Sequence, residues 1–281
     1  MSAALASDSA GQRVSAVAGI ESFLREKDAT YSLQLFDLLR GVLTVGHDET
    51  SDRVIARTFI KVLKQCMREI REHEAIAGGA TIDLQDVWIP SVDAGGLDLS
   101  GIEGSGICLN RASIDGTKFD GSTLAGARLS RVTGNSGTSF RNVVMPGVTL
   151  QSASLAGVDM EGARLVPPRR SGLEPATADL ADADLRGARL VDARLDRARL
   201  ISVDFERAIL TGASLKGAQL QQADFRHADL TGNTRLHGAN VANADFRGAR
   251  LGETARTSLV ATNWSRAVLD AETLAWLEAH K

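Results

Sequence analysis

Four aspartates recur at a nearly constant interval in the second half of the chain, and carboxylates held at a fixed separation can perform general acid–base chemistry. Arginines follow them at similar intervals, and the set comprises Asp184, Asp204, Asp224 and Asp245 with Arg186, Arg207, Arg226 and Arg247. Aspartate side chains also bond readily to backbone amides in turns, and aspartate recurs at the same place in many neighbouring segments. We therefore interpret the set as structural: a stacked row of carboxylates flanked by arginines.

From the other reactive side chains we predict no catalytic residue, no cofactor-binding residue and no metal ligand. Neither a phosphate-binding Gly-Lys-Ser/Thr loop nor a hydrolase or metalloprotease motif occurs. The histidines do not stand at metal-ligand spacing from one another: His47, His73, His227, His237 and His280. Cys66 and Cys108 form neither a ligand pair nor a disulfide framework, which indicates reduced thiols in a cytoplasmic protein. We expect a protein that is not an enzyme.

The overall charge narrows the class of partner. The 281 residues include 32 basic and 35 acidic side chains, a net charge of -3, so no basic surplus indicates direct nucleic-acid binding. No secretory signal and no apolar run long enough to span a bilayer is evident, so no membrane association is expected. Other proteins are therefore the expected partners.

A period of five residues positions most of these side chains. Residues 178–200 read ADLADADLRGARLVDARLDRARL, with Leu at every fifth position and Ala two residues before each Leu. Two inward residues separated by one outward residue form a short strand-like side, and the remaining residues are turn formers. Such units stack into a solenoid. The series runs from Leu84 to a final Leu259, Trp264 and Leu269, with short insertions near Asn135 and Asn233 and after Leu251.

The units ADLAD, ADLRG, ADFRH, ADLTG and ADFRG resemble the consensus A-(D/N)-L-x-x of the pentapeptide repeat family. The resemblance covers roughly residues 82–271 and implies a mainly β fold, a right-handed four-sided β-helix with four pentads per coil. The spacing of the phenylalanines agrees with a coil of four pentads, or 20 residues. Phe205 and Phe225 are 20 residues apart, and the other two successive pairs are 21 residues apart because a one-residue insertion lies between them. We therefore expect two core stacks: Phe119 on Phe140, and Phe205 on Phe225 on Phe246.

Two segments flank the solenoid, which we place at residues 81–270. Residues 1–80 carry three apolar stripes at helical spacing and predict an α-helical N-terminal unit, either a cap on the solenoid or a separate binding or dimerising domain. Residues 271–281 predict a C-terminal capping helix, with Asp270 as its N-cap. We expect Leu274 and Leu277 to share an apolar face, with Trp276 beside it. The helix then covers the last coil, pairs with a second subunit in a homodimer, or does both.

The segment PPRRSGLEPAT, residues 167–177, interrupts the pentads without changing the frame on either side. It predicts a projecting loop near 168–177 that is either a tolerated insertion or a binding element. The candidate partner-binding residues are Pro168, Arg169, Arg170, Leu173 and Glu174.

Two functions remain open. The first is a non-catalytic interaction or scaffold protein. The second follows from the family resemblance, because some members mimic DNA, bind the type II topoisomerases DNA gyrase or topoisomerase IV, and protect them from inhibitors. Charge is uneven along the repeat: residues 82–120 have a net charge of -5, whereas residues 121–170 have +4. The first part of the solenoid is therefore acidic and its middle is basic.

Overall fold

The computed structural model describes residues 36–43, 49–72, 82–165 and 178–280. Helix α1 covers residues 36–43, and helix α2 covers Glu49–Glu72, of which the side chains of 55–67 are described. The apolar faces of both helices are buried in one cluster with the first coil of the solenoid, and the rings of Phe36 and Phe59 stack at 5.3 Å. The first predicted stripe, Val14 to Phe23, lies outside the described residues.

The two helices contact the first coil through polar atoms as well. The backbone carbonyl of Leu43 accepts the N–H of Trp88 at 3.1 Å, and Arg40 forms an ion pair with Asp83. In later coils the corresponding N–H bonds to the preceding coil, as in the 2.8 Å bond from Cys108 to the carbonyl of Val87. The end of α1 therefore supplies an acceptor that a preceding coil would otherwise supply.

From residue 82 onward the chain forms the predicted β-helix solenoid. Four ladders of parallel bridges begin at Asp83, Trp88, Asp93 and Asp98, and each joins a pentad to the one a coil later. In unbroken stretches a bridge joins a residue to the one four pentads onward, as Asp83 to Glu103. A coil therefore contains four pentads, one in each ladder. Bridges that cross a one-residue insertion, such as Lys118 to Ser139, take one residue more and keep the ladders aligned.

The turn chemistry explains the five-residue unit. The aspartate before each central apolar residue accepts the backbone N–H two positions later, as Asp224 does from Arg226 at 2.9 Å. The last residue of the unit often has a left-handed backbone, a conformation that glycine adopts without steric cost. Gly162 shows a second reason for glycine, since a Cβ there would lie 2.4 Å from Oδ1 of Asn142 on the preceding coil. Together these positions fix the corner of each coil.

Central residues and the residues two places before them fill a narrow core of Leu, Ala and Phe. The centroids of Phe119 and Phe140 are 4.9 Å apart, and Phe225 lies 5.0 Å from Phe205 and 4.8 Å from Phe246. All five rings are buried. Four hydroxyl residues replace the usual small apolar residue and donate to a carbonyl of the preceding coil: Thr117, Ser122, Thr138 and Thr234.

The end of the solenoid differs from the sequence expectation. The pair β1 (Asp229–Leu230) and β2 (Arg250–Leu251) is followed by helix α3 (Glu253–Val260), a 3-10 helix (Trp264–Arg266) and helix α4 (Ala271–Ala279). Leu259 and Trp264 therefore lie in helices and are not centres of pentads. Helical structure begins where three extra residues break the period of five. The ladder resumes only at Val268, which bridges to Asp245 and precedes Leu269.

Side chains and carbonyls from this terminal segment accept the hydrogen bonds of the last coil. Ser258 Oγ accepts the N–H of Leu236 at 2.9 Å, and Asn263 Oδ1 accepts that of Val241 at 2.8 Å. In the preceding coil the equivalent donors, such as Leu215, bond to backbone carbonyls one coil onward. Further acceptors are the carbonyls of Arg266 and Val268 and the carboxylate of Asp270.

Candidate interaction surfaces

The candidate partner-binding residues Pro168, Arg169, Arg170, Leu173 and Glu174 lie outside the described residues. The pairing on either side of them is nevertheless informative. Four bridges cross this point, and each joins residues six pentads apart, as from Thr149 to Asp179 and from Arg164 to Arg194. The usual step is four pentads, so the segment adds the length of two pentads to one coil while all four ladders continue.

The aspartate row is present as a ladder, because Asp184, Asp204, Asp224 and Asp245 are successive partners in bridges. Three of the four have an arginine two residues onward that turns back onto the carboxylate. The closest N–O distance is 2.7 Å for Arg186 with Asp184, and 2.6 Å for both Arg226 with Asp224 and Arg247 with Asp245. The same aspartates accept the backbone N–H of those arginines. These carboxylates are thus engaged in turns and ion pairs.

Asp204 is the exception in the row. Glu206 stands in the place of the pairing arginine, and Arg207 follows it with a left-handed backbone at φ 60°. Arg207 lies 3.6 Å from Glu206, and its side chain is 75% exposed. It therefore does not flank Asp204 as the sequence interpretation supposed, because it is one residue further along the turn. Among the described residues, the cation that forms an ion pair with Asp204 is Arg186, at 3.6 Å.

The lack of a paired arginine at Asp204 is accompanied by a different direction of its pKa shift. The hydrogen bond from Arg186 lowers the pKa of Asp184, and the hydrogen bond from Arg247 lowers the pKa of Asp245. At Asp204 burial raises the pKa, and the carboxylates of Asp224 and Asp184 raise it further. Three of the four carboxylates are held in close ion pairs with guanidinium groups, which favours a structural role over acid–base chemistry.

The C-terminal candidates are divided between the core and the surface. Leu277 is fully buried together with Thr273, whereas Leu274 is 39% exposed. Trp276 stacks on His280 with a centroid distance of 4.1 Å. The two leucines are therefore in different environments, because α4 packs with Thr273 and Leu277 inward and leaves Leu274 partly exposed.

Asp270 occupies the predicted N-cap position of α4 but makes no side-chain bond to the helix. Its Oδ2 instead accepts the N–H of Gly248 at 2.8 Å. The carboxylate thus joins the terminal segment to the last coil.

A groove that the sequence interpretation did not anticipate lies along the second ladder in the first four coils. This Trp88 groove has a volume of about 430 Å³ and is lined by Trp88, Pro90, Asn110, Arg111, Ser130 and Arg131, among others. The sequence signal for it was the pair of arginines four pentads apart, at a position where glycine is common.

Within the described ranges, no group of histidine, cysteine, aspartate or glutamate side chains is arranged to hold a metal ion. None of the helices in the described part of the chain combines the length and the apolar character that crossing a membrane requires.

Comparison with known proteins identifies the repeat. The family described as pentapeptide repeats matches eight copies, over residues 136–166, 178–217, 193–232 and 208–252. Comparison with curated proteins gave no match.

Several solved structures are similar to the chain. HetL from the cyanobacterium Nostoc sp. strain PCC 7120, involved in heterocyst differentiation regulation, is 22% identical over 72% of this chain and 96% of its own, with a TM-score of 0.35. QnrB1, a plasmid-mediated fluoroquinolone resistance protein, is 20% identical over 69% and 87%, with a TM-score of 0.38. A pentapeptide repeat protein from the thylakoid lumen of Arabidopsis thaliana is 22% identical over 68% and 90%, with a TM-score of 0.21.

Proposed function

Because this chain is a pentapeptide repeat protein, we propose that it is a non-catalytic interaction protein that presents binding surfaces on a rigid solenoid. The observation that carries the proposal is the ten-residue insertion at 168–177, across which all four ladders continue. A segment that can be added without changing the register of the pentads can vary in sequence without disturbing the core, and such segments often carry binding residues. Arg169 and Arg170 supply paired guanidinium groups suited to carboxylates or phosphates, and the flanking prolines restrict the conformations lost on binding.

The test compares partner capture by the full chain and by a variant that lacks residues 168–177. Both are immobilised, cross-linked in extract of the source cells and analysed by quantitative mass spectrometry. We expect at least one protein that binds the full chain and is lost with the deletion. Equal recovery by both variants would show that the segment is a tolerated insertion, and no specific recovery would contradict the interaction function.

Protection of a type II topoisomerase by DNA mimicry is the alternative function. It requires a row of uncompensated carboxylates along the solenoid. Three of the four aspartates in the row are paired with arginine, so this surface supports the alternative less well than general protein binding. A supercoiling assay of purified DNA gyrase with an inhibitory drug distinguishes the two. Restored supercoiling on addition of the chain would favour the alternative.

We also propose the finer architecture implied by the family: a right-handed, four-sided coil closed at both ends. Support for closure comes from α1, whose end bonds to Trp88, and from the terminal acceptors Ser258, Asn263 and Asp270. The N-terminal helices then act as a cap, because their apolar faces are continuous with the core of the first coil. A homodimer formed through the C-terminal segment is part of the same proposal.

A further inference from the structure

Two neighbouring arginines of the Trp88 groove have no ion-pair partner among the described residues. The N–H of Arg111 donates to the carbonyl of Ser130 at 2.9 Å, and that of Arg131 donates to the carbonyl of Gln151 at 2.9 Å. These bonds place the two arginines on consecutive coils at the same corner. Both side chains are exposed. In the later coils Arg186 and Arg226, one position earlier in their pentads, contact carboxylates, whereas Arg197, at the equivalent turn position of its pentad, forms no ion pair among the described residues.

The backbone at both positions is left-handed, with φ of 60° at Arg111 and 58° at Arg131. Glycine occupies 15 equivalent positive-φ positions in the described residues. A side chain in this conformation costs about 1 kcal/mol relative to an unstrained backbone. Non-glycine residues occupy 14 further positive-φ positions, and arginine occupies four of them: Arg111, Arg131, Arg197 and Arg207. Arg111 and Arg131 are the two of these arginines that lie on consecutive coils at the same corner.

The rest of the groove supplies neutral donors and an aromatic wall. Asn110 accepts the N–H of Ser130 through its Oδ1 at 2.9 Å, which leaves its amino group as a donor. Trp88 and Pro90 form the apolar side. Exposed guanidinium groups, an amide donor and a flat apolar wall match an extended ligand that carries negative charges on one edge.

We propose that the Trp88 groove binds an acidic peptide segment of a partner protein, with carboxylates on alternate residues engaging Arg111 and Arg131. Coils are stacked about 4.8 Å apart, and alternate side chains of an extended peptide are roughly 7 Å apart, a difference that flexible arginines can accommodate. This inference rests on the proposed function, because the groove would be one of the binding surfaces of an interaction protein.

The surrounding charge favours a short peptide over a nucleic acid. Asp93 and Asp115 lie on the same coils as the groove, and residues 82–120 carry a net charge of -5. A continuous polyanion that extends beyond the groove would meet these carboxylates, whereas a peptide with two carboxylates need contact only the arginines.

The experiment measures fluorescence anisotropy of a labelled six-residue peptide with glutamate at positions two and four, added to the full chain. Arg111→Gly and Arg131→Gly remove the charges and relieve the left-handed backbone, so both variants should fold. Arg197→Gly is the matched control, because Arg197 also has φ of 60° and lies outside the groove. We expect each groove variant to weaken binding about tenfold, the effect of losing one charged hydrogen bond, and the control to bind as the unmodified chain does.

Three results would overturn the proposal: no binding of the glutamate peptide, equal binding of its glutamine analogue, or unchanged binding by both groove variants. Displacement of the peptide by a short single-stranded oligonucleotide at lower concentration would assign the groove to nucleic acid instead. The variant lacking residues 168–177 retains the groove, so loss of partner capture in that variant and loss of peptide binding in the arginine variants are separate outcomes.

Discussion

Asp204 lacks the arginine that pairs with each of its three neighbours in the row, and it lies between two other carboxylates. Asp204→Asn should therefore stabilise the protein by about 0.3 kcal/mol at neutral pH, the scale of an exposed charge interaction. The amide keeps an oxygen that can accept the N–H of Glu206, a bond of 2.9 Å. Urea denaturation of the variant and the unmodified chain measures the difference.

The pH dependence of this effect has a definite sign. Because the pKa of Asp204 is raised above 3.8 in the folded state, the folded protein binds this proton more tightly than the unfolded chain. The resulting stability is present below 3.8 and is lost as the pH rises through the folded pKa. The advantage of Asp204→Asn should therefore vanish in acid. Asp184→Asn is the control, since a lowered pKa predicts destabilisation near neutral pH. Equal shifts in both variants would contradict this account.

At the scale of the element, Phe225 is the middle ring of its stack, 5.0 Å and 4.8 Å from its neighbours. Phe225→Ala should lower the free energy of unfolding by roughly 3 to 5 kcal/mol, the usual cost of emptying a buried aromatic site. In Phe225→Leu the ring is replaced by leucine, the central residue of most other units. This variant should lose much less free energy of unfolding than Phe225→Ala. Denaturant titration followed by two probes tests both variants. A loss below about 1 kcal/mol for the alanine variant is inconsistent with a packed core ring.

The terminal segment depends on the bond between Asp270 and Gly248. Asp270→Ala leaves the N–H of Gly248 without its carboxylate acceptor, at a cost of about 0.5 to 1 kcal/mol. Hydrogen exchange of the Gly248 amide should become faster in this variant. Asp270→Asn retains an oxygen and should exchange more slowly than the alanine variant. Unchanged exchange in Asp270→Ala would mean that the bond does not protect this amide.

The sequence predicts the coils of the solenoid but not the helical segment that follows Leu251. Spacing alone relates Phe205 to Phe225, because each coil repeats one geometry. Leu259 misleads, since three added residues bring it back to an apparent five-residue spacing with Trp264 although both lie in helices. The replacement of backbone acceptors by Ser258 and Asn263 depends on how α3 and the 3-10 helix meet the last coil. No period in the sequence encodes such a contact.

For the whole molecule, removal of residues 168–177 tests the continuity of the solenoid. The four bridges that now span six pentads would then span the usual four. We expect an unchanged circular dichroism spectrum and a midpoint of thermal unfolding within a few degrees of that of the full chain. A control deletion of residues 183–187 removes one pentad, shifts every later unit to the next ladder and should disrupt folding. Unfolding of the ten-residue deletion would show that the segment belongs to the coil.

Association through the C-terminal segment is the second prediction at this scale. Val268 is 44% exposed and Leu274 is 39% exposed, so apolar surface is available near α4. Light scattering should give the mass of a homodimer for the intact protein. Deletion of residues 271–281 should give a monomer or an aggregate, because the buried Leu277 is removed with the helix. A monomeric intact protein at high concentration contradicts the prediction.

The acceptors that Ser258, Asn263 and Asp270 provide have a consequence for crowded solutions. A stack of coils is a row of strand edges, and an open row can recruit another molecule and grow into a fibre without limit. Here the N–H groups of Leu236, Val241 and Gly248 already have partners, and at the opposite end the carbonyl of Leu43 accepts the N–H of Trp88, one of the donors of the first coil. Substitutions that remove these acceptors should therefore favour fibre growth, detectable as thioflavin fluorescence, before they abolish the fold.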